Sequence, residues 1–327
     1  MGDLHPLKNL KLKLEKDNPH PLDDHIIFDE VEHVYFVDGQ KYPGSVSGLI
    51  HDYFPEFNAM ETINRYYDSW RTKKEGKYYA LINYLTGIIG FSEEMAKVEI
   101  ARNWYGAGTK ASTAGTATHL NIEMFLNEEH HDADNPEFQQ FLEWKKTHPT
   151  WVPYRTEWSV FDPESLVCGQ IDSVWKDENG LLHMVDWKRV IELKMSGFAG
   201  QTGYAPFDTL QNTNYSHYIL QQNAYTKLLE KSYGVKISSM SLVQVHPEIE
   251  EFIEWALPRL DAELEQVFAE RARRVLNGEL KTMPKEIWVE ASAEKKRKRS
   301  EQTSEEKERK EILIKHLTKV LELHKGP

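Results

Sequence analysis

The sequence of 327 residues lacks several features that define whole classes of protein. It contains a single cysteine, Cys168, which excludes a disulfide within the chain and the four-cysteine ligand set of an iron–sulfur cluster. It also lacks the GK[ST] ending of a Walker loop, because the Gly/Ala/Ser/Thr-rich run from Gly106 to Gly115 has no such ending. We therefore expect neither an iron–sulfur cluster nor a bound nucleotide.

Long apolar runs are missing as well. The most apolar window, Tyr78 to Phe91, is too short and too polar to cross a bilayer. The N-terminus through Asn18 alternates lysine with leucine and has no continuous apolar core of the kind a secretory leader needs. These absences predict a soluble, intracellular protein that has no membrane partner.

The chain also has no excess of positive charge, since its formal net charge is −12. Proteins that bind nucleic acid usually carry a basic surface that matches the phosphates. However, a positive groove can coexist with an acidic remainder, and carboxylates that bind metal ions add negative charge themselves. The net charge therefore does not exclude a nucleic-acid partner.

Composition divides the chain into three segments. Residues 1–24 contain three prolines and no clear periodicity, which predicts a mobile arm. Residues 25–290 are predicted to form one domain, in which residues 58–111 make a helical insertion. Residues 291–327 form a charged tail with a basic run that is typical of a nuclear-import signal or of a patch for nucleic acid or a protein partner. That run is Lys295, Lys296, Arg297, Lys298 and Arg299.

Two apolar runs, Val167 to Trp175 and Leu181 to Trp187, predict a β-hairpin. The period-two geometry of a strand puts Asp186 and Lys188 on one face. Asp172 becomes their cross-strand neighbour if the turn is tight. Two carboxylates beside a lysine suit a hard divalent cation and a nucleophilic water, which is the chemistry of phosphodiester hydrolysis. The alternative is a surface hairpin with ordinary exposed ion pairs.

A helix is predicted to follow the Gly106 to Gly115 link and to run to Leu126. On it His119 and Glu123 are four residues apart and therefore lie on one face. Taken alone, such a pair is more often a surface ion pair or a core histidine whose hydrogen bonds are satisfied.

Two more groups belong to the same set of candidates. Glu157 lies in the middle of a strand predicted for Tyr154 to Phe161, where it faces either a metal ion or solvent. Gln221 and Tyr225 are four apart on a predicted helix, so that an amide and a phenol share one face and can hold a phosphate or order metal ligands. Simple packing of this helix on the sheet is compatible with the same spacing.

These residues resemble a known nuclease signature. Gly169-Gln170-Ile171-Asp172 and Val185-Asp186-Trp187-Lys188 resemble the GxxD and DxK halves of the PD-(D/E)xK motif. The segment from Gly115 to Glu123 resembles the GxxxHxxxE helix of the RecB-like branch, and the segment from Leu220 to Tyr225 resembles its QxxxY motif. That branch includes the RecB nuclease domain and is related to lambda exonuclease; the N-terminal hairpin and basic tail are more similar to members from eukaryotes and large DNA viruses.

The resemblance implies a fold and a set of roles. The fold would be an α/β/α sandwich with a central mixed sheet, restriction-endonuclease-like, plus a helical insertion. Mg²⁺ or Mn²⁺ would be bound by Asp172 and Asp186 with His119 as a further ligand, and Glu157 would face the metal or support it. Lys188 would position the attacking water or stabilise the pentavalent phosphorus. The supporting catalytic groups would be Glu123, Gln221 and Tyr225.

The function that this resemblance implies is metal-dependent cleavage of DNA. Because no helicase motif is present, we expect action on accessible ends or single strands, with exonuclease activity as the first expectation. Two alternatives remain open at this point. One is a catalytically silent, nuclease-like module that binds nucleic acid or a partner, and the other is a nuclease directed at RNA.

Overall fold

A six-stranded mixed sheet forms the centre of the protein, and helices pack on both of its faces. The computed structural model describes residues 11–297. In chain order the elements are α1 (Lys13–Asp17), β1 (Ile26–Asp29), β2 (Val34–Val37), β3 (Gln40–Lys41), β4 (Gly44–Ser45), α2 (Val46–His51), α3 (Ala59–Thr72), α4 (Tyr79–Asn83), α5 (Glu93–Leu126), α6 (Pro136–Thr147), β5 (Val152–Asp162), β6 (Val167–Lys176), β7 (Leu182–Arg189), α7 (Asn214–Leu228), β8 (Ser239–Val245), β9 (Ile253–Ala256), α8 (Asp261–Leu276) and β10 (Met283–Pro284). The predicted α/β sandwich with a central mixed sheet is confirmed.

Strand β6 is the hub of the central sheet. One edge pairs with β5 along its whole length, and the other edge pairs with β4 at its start and with β7 at its end. The β6–β7 ladder begins at the Ser173–Val185 pair, so the two strands fork on the N-terminal side of Ser173. Strand β8 then pairs with β7 in parallel, and β9 closes the sheet antiparallel to β8.

Each face of the sheet has its own apolar core. One face packs against α2, α7 and α8, whose buried residues include Val46, Leu228 and Phe268. The other face packs against α6 and the end of α5 through an aromatic cluster that contains Trp144 and Trp187. Burial of this much apolar surface on both sides of a sheet is the main stabilising term of a three-layer fold.

Residues 59–104 form a helical unit with a third core of its own. This core joins α3, α4 and the first part of α5, which lies within the insertion predicted for residues 58–111. Helix α5 then continues without a break to Leu126, so the link predicted from Gly106 to Gly115 is helical. Glycines cost roughly 1 kcal/mol each in a helix, and here both ends of α5 are anchored in apolar cores, which offsets that cost.

The N-terminal segment is packed against the domain rather than mobile from residue 13 onward. Leu14 is buried against the aromatic cluster, and Asp23 accepts hydrogen bonds from Arg155 and Trp158 at 2.8 and 2.9 Å. Burial of a paired charge explains why a proline-rich segment without periodicity is nevertheless ordered here. Residues 1–10 of the predicted arm lie outside the described part of the chain.

A second, four-stranded sheet has the order β1-β2-β3-β10 and is antiparallel throughout. After it, residues 285–297 are helical, and Trp288 packs edge-on against Phe36 of β2. This helix crosses the predicted boundary between domain and tail at residues 290–291. Lys298 and Arg299 of the basic run lie outside the described residues. Within residues 11–297 no helix combines the length and the apolar character needed to span a membrane.

Candidate active site

The fork between β6 and β7 brings three predicted residues together. The ladder ends at Ser173–Val185, so continuation of this register puts Asp172 opposite Asp186. The backbone N–H of Trp187 donates to Asp172 Oδ2 at 3.2 Å. Lys188 Nζ donates to Asp186 Oδ1 at 2.9 Å and lies 2.7 Å from Oδ2. Because strand residues alternate, Val185 and Trp187 point into the opposite core, as the sequence predicted.

His119 reaches this fork from α5. Its Nε2 lies 2.7 Å from the carbonyl oxygen of Trp187, and since a carbonyl can only accept, Nε2 carries the proton. Its Nδ1 therefore presents a lone pair, and Nδ1 lies 3.3 Å from Asp172 Oδ2. Burial, followed by the positive charge of Lys188, lowers the pKa of His119 to about 4. The imidazole is thus neutral near pH 7, and two electron-pair donors face one another.

Glu157 completes a group of three donors. It lies on β5 opposite Asp172, because Thr156 pairs with Ser173 and Trp158 pairs with Ile171. Its φ of 43° is in the left-handed region, which is costly for a residue with a side chain and is most often found at functional positions. Donor atoms of His119, Glu157 and Asp172 lie within 4.8 Å of one another.

The carboxyl groups of the site resist ionisation. Burial, followed by the charge of Asp172, raises the pKa of Asp186 to about 7. The same two causes raise the pKa of Glu157 well above its usual value. Burial also lowers the pKa of Lys188, but the carboxylates of Asp186 and Asp172 outweigh that effect and the net pKa is raised. Lys188 alone therefore does not offset the burial of these acidic groups, and Asp186 and Glu157 favour their protonated forms.

Glu123 lies one helical turn after His119 but outside the group of three donors. Burial, followed by the nearby charge of Glu30, raises the pKa of Glu123 to about 7. Its charge also contributes to the raised pKa of Glu157. Glu123 is therefore an acidic neighbour of the donor group. Its charge also interacts with that of Glu30 in the turn between β1 and β2.

Gln221 and Tyr225 share one face of α7, as their spacing predicted. Gln221 Nε2 donates to the Tyr225 hydroxyl at 3.3 Å and lies 3.5 Å from Ser47 Oγ. Tyr225 is buried, and a Cβ placed on Gly169 would lie 2.5 Å from its Cε1. The glycine of the GxxD segment is thus the residue that lets the tyrosine ring lie against β6.

The structure also adds residues that the sequence did not single out. Lys188 Nζ lies 4.8 Å from the centre of the Tyr218 ring, a cation–π distance. Tyr218 is three residues before Gln221, so helical spacing with the QxxxY pair was an available signal. Tyr35 of β2 faces the same charges, since burial and then Cys168, Glu157 and Asp172 raise its pKa. No local pattern marks Tyr35, because the chain reaches the site there only through tertiary packing.

A family model described as the PD-(D/E)XK nuclease superfamily matches residues 91–287. The match covers more than half of the chain and includes every predicted site residue. The chain belongs to the PD-(D/E)XK nuclease superfamily. Among curated protein sequences, none matches the chain.

Solved structures similar to this PD-(D/E)XK nuclease include two with low sequence identity. One is the crystal structure of SSO0001, with 13% identity, a TM-score of 0.23, and coverage of 42% of this chain and 56% of that one. The other is a candidate exonuclease from Eubacterium rectale, with 14% identity, a TM-score of 0.27, and coverage of 70% of this chain and 72% of that one. The chain spans little more than half the length of SSO0001.

The donor set of this PD-(D/E)XK nuclease fits the divalent metal ion that members of the superfamily use. The lone pair of His119 Nδ1 and the Asp172 carboxylate face one another at 3.3 Å, an arrangement that a cation between them would stabilise. The other ring nitrogen of His119 is bonded to a backbone carbonyl, as is usual for metal-binding histidines. Of the four predicted ligands, His119, Glu157 and Asp172 form one donor group, and Asp186 lies beside it, paired with Lys188.

Proposed function

We propose that this protein is an Mg²⁺- or Mn²⁺-dependent DNA exonuclease that acts on the ends of DNA or on single strands. The observation that carries the proposal is the donor group at the strand fork, in which neutral His119 faces Asp172 beside Glu157. Oxygen-rich sets with one imidazole suit hard cations of this kind. The adjacent pair of Asp186 and Lys188 supplies the acidic residue and the lysine of the DxK half of the motif.

The chain's own residues have separable tasks in hydrolysis. A divalent ion held by His119, Asp172 and Glu157 would supply positive charge against a phosphoryl oxygen. Lys188, held by Asp186, is placed to orient the attacking water and to stabilise negative charge on the pentavalent phosphorus. Tyr218 covers the ammonium, while Gln221 and Tyr225 support the start of β6 and α2.

Membership of the RecB-like branch is part of the same proposal. His119 and Glu123 lie on a helix that reaches the fork, and Gln221 and Tyr225 lie on a helix against β6. These positions support the assignment of the GxxxHxxxE and QxxxY motifs to this chain. The absence of a Walker loop from the sequence favours substrates that already offer an end or an unpaired strand.

The test is a cleavage assay on end-labelled single-stranded DNA, duplex DNA, circular single-stranded DNA and RNA. We expect Mg²⁺- or Mn²⁺-dependent degradation of linear DNA, loss of activity in EDTA, and protection of the circle. Asp186→Ala and Lys188→Ala should each reduce the rate at least about 100-fold. Lys176→Ala, at the other end of the same hairpin, is the matched control and should retain activity.

Each outcome of this assay decides a separate part of the proposal. Cleavage retained in both site variants would disprove the site assignment. Binding of DNA without cleavage by the wild-type protein would identify a silent binding module instead. Preferential degradation of RNA would correct the substrate, and cutting of the circle would correct the exonuclease mode.

We also propose that the basic run in the tail directs the protein to the nucleus or binds a partner. Lys295 and Lys296 are exposed on the helix of residues 285–297, and Lys296 forms an ion pair with Glu32. A fluorescent reporter fused to residues 291–327 should accumulate in nuclei. An even distribution of the reporter would dismiss import.

A further inference from the structure

A cleft of about 280 Å³ lies between the second sheet, α2 and α8. This volume is near the lower end of the roughly 300–1,000 Å³ of small-molecule sites. No predicted catalytic or metal-binding side chain lines it. The cleft adjoins the strand fork. Ser47 of α2 lies next to Gln221 while Gly48 and Asp52 line the cleft, and Tyr35 lines the cleft and also faces the charges of Glu157 and Asp172.

Arg271 of α8 is the unusual residue of this cleft. Arg271 is only 4% exposed. Its Nε donates a hydrogen bond to the carbonyl oxygen of Ser165 at 3.0 Å. Its Nη2 is buried and makes no hydrogen bond to any residue within 11–297. A buried guanidinium nitrogen without an acceptor is costly, so this part of the side chain is suited to an anionic ligand.

The backbone is shaped to hold this guanidinium in place. A Cβ on Gly44 would lie 2.1 Å from Arg271 Nη2, so only a glycine at position 44 lets the guanidinium lie flat against β4. This close approach fixes the plane of the guanidinium, and Arg271 lines the cleft. Such planar, fixed donors are the usual means of binding phosphate and carboxylate oxygens.

The other groups around the cleft favour an anion as well. Lys41 lines it and adds a second positive charge, and the hydroxyl-bearing side chains Tyr42 and Ser45 add potential donors. Asp52 is the one carboxylate among the lining residues, so the two cations outnumber it. Burial lowers the pKa of the Arg271 guanidinium, and the charge of Asp52 acts in the opposite direction.

We propose that this cleft is a phosphate-binding site, which takes inorganic phosphate or the phosphate group of a nucleoside monophosphate. Arg271 and Lys41 bind the phosphate oxygens, and Tyr42 and Ser45 donate to those that remain. The site lies beside the metal-binding fork, shares none of the proposed metal ligands with it, and does not depend on cleavage.

The experiment is isothermal titration calorimetry of the full-length protein in EDTA, with inorganic phosphate and with deoxyadenosine 5′-monophosphate as separate probes. EDTA keeps the acidic fork free of divalent cations, so that it repels phosphate. We expect saturable binding of at least one probe with one site per chain. Lys41→Gln and Arg271→Gln should each weaken binding at least tenfold. Arg273→Gln, an exposed arginine on the same helix that is paired with Glu270, should bind as the wild type does.

Thermal unfolding separates loss of the site from loss of the fold. Lys41 lies at the rim, so Lys41→Gln should unfold at the wild-type temperature without phosphate but gain less stability when phosphate is added. Tighter binding of the monophosphate would identify a phosphate ester as the ligand, and equal binding would identify the free oxyanion. The proposal fails if the wild type binds neither probe, or if Lys41→Gln and Arg271→Gln bind as tightly as the wild type.

Discussion

His119 shows how single residues acquire their role at this site. The residue type and its spacing to Glu123 are common on solvated helices. Here the proton on Nε2 is fixed by the Trp187 carbonyl, and the lone pair on Nδ1 is directed at Asp172. The neighbouring backbone, rather than the histidine itself, therefore makes it suitable as a metal ligand.

Glu157 provides a prediction about stability and pH. Its folded-state pKa is raised by burial and by Asp172, so the folded protein binds more protons than the unfolded chain above about pH 4.5. This contribution to stability is present below that pH and is lost as the pH rises toward the folded pKa. The glutamine of Glu157→Gln does not titrate, so this loss of stability does not occur in the variant. In EDTA, the unfolding temperature of the variant minus that of the wild type should therefore increase from pH 5 to pH 8.

Scanning calorimetry of both proteins across this pH range measures the effect. Mg²⁺ should reverse the order at pH 8, because only the wild type keeps all three donors and gains stability from binding. A difference in unfolding temperature that does not change with pH would show that the Glu157 carboxyl titrates normally.

Asp186 leads to a second prediction, which concerns metal affinity. Burial and Asp172 raise its pKa to about 7, so below that pH the carboxyl holds a proton in the metal-free protein. Ionisation of Asp186 adds a negative charge beside the donor group of His119, Glu157 and Asp172, and that charge attracts a cation. Mg²⁺ affinity should therefore increase from pH 6 to pH 8 and change little above it. Titration calorimetry in two buffers of different ionisation enthalpy should also detect proton release at pH 6.5, and pH-independent affinity would contradict the prediction.

At the scale of secondary-structure elements, β6 and α7 are held together by one close contact. Gly169 has no side chain, and the ring of Tyr225 occupies the space beside it. The same strand carries Asp172 three residues later, so the strand–helix distance also affects the position of a proposed metal ligand. Packing and catalysis are thus coupled through a glycine.

Gly169→Ala should destabilise the protein by about 1–3 kcal/mol, because the new methyl group would lie 2.5 Å from Tyr225 Cε1. It should also reduce the cleavage rate, since β6 must move away from α7. Urea unfolding and the DNA cleavage assay measure the two effects.

The matched control is Gly106→Ala in α5. A Cβ there meets no atom within 4 Å, so the substitution should stabilise the helix by about 0.5–1 kcal/mol. Equal effects of the two substitutions would show that the contact with Tyr225 does not limit the position of β6.

For the whole molecule, the segment before β1 connects parts of the fold that are distant in sequence. The side chains of Asp23 and Arg155 are 3% and 4% exposed, and they form an ion pair at 2.8 Å. The β1–β2 turn continues from this segment to the acidic residues of α5, where Glu30 acts on Glu123. Residues 13–40 therefore pack as part of the same domain as the strand fork.

Asp23→Ala should lower the free energy of unfolding by about 3–5 kcal/mol, because it leaves the Arg155 guanidinium buried without its partner. Asp17→Ala is the control, since Asp17 is 54% exposed in its pair with Lys13, and it should cost no more than about 1 kcal/mol. Denaturant unfolding of both variants provides the comparison. Similar losses for the two would show that the segment is not anchored by Asp23.

The sequence by itself determined the local parts of this protein. Alternation along β7 assigned Asp186 and Lys188 to one face, and helical spacing paired Gln221 with Tyr225, while the sandwich was implied by the resemblance of the motifs to the PD-(D/E)xK family. The first two features depend on backbone geometry with periods of two and 3.6 residues, so neighbours in sequence are sufficient. The same local reasoning failed at Gly106 to Gly115, because the two apolar cores that hold α5 straight are remote from that run.

Only the tertiary structure decided which of these groups meet. The fork of β6 and β7 brings Asp172 to His119, and the left-handed backbone of Glu157 adds a third donor. Packing likewise placed Tyr35 and Glu30 at the site and left Arg271 buried beside a cleft. Desolvation and through-space charge depend on contacts between distant segments, and for that reason the electrostatics of both sites follow from the fold rather than from any motif.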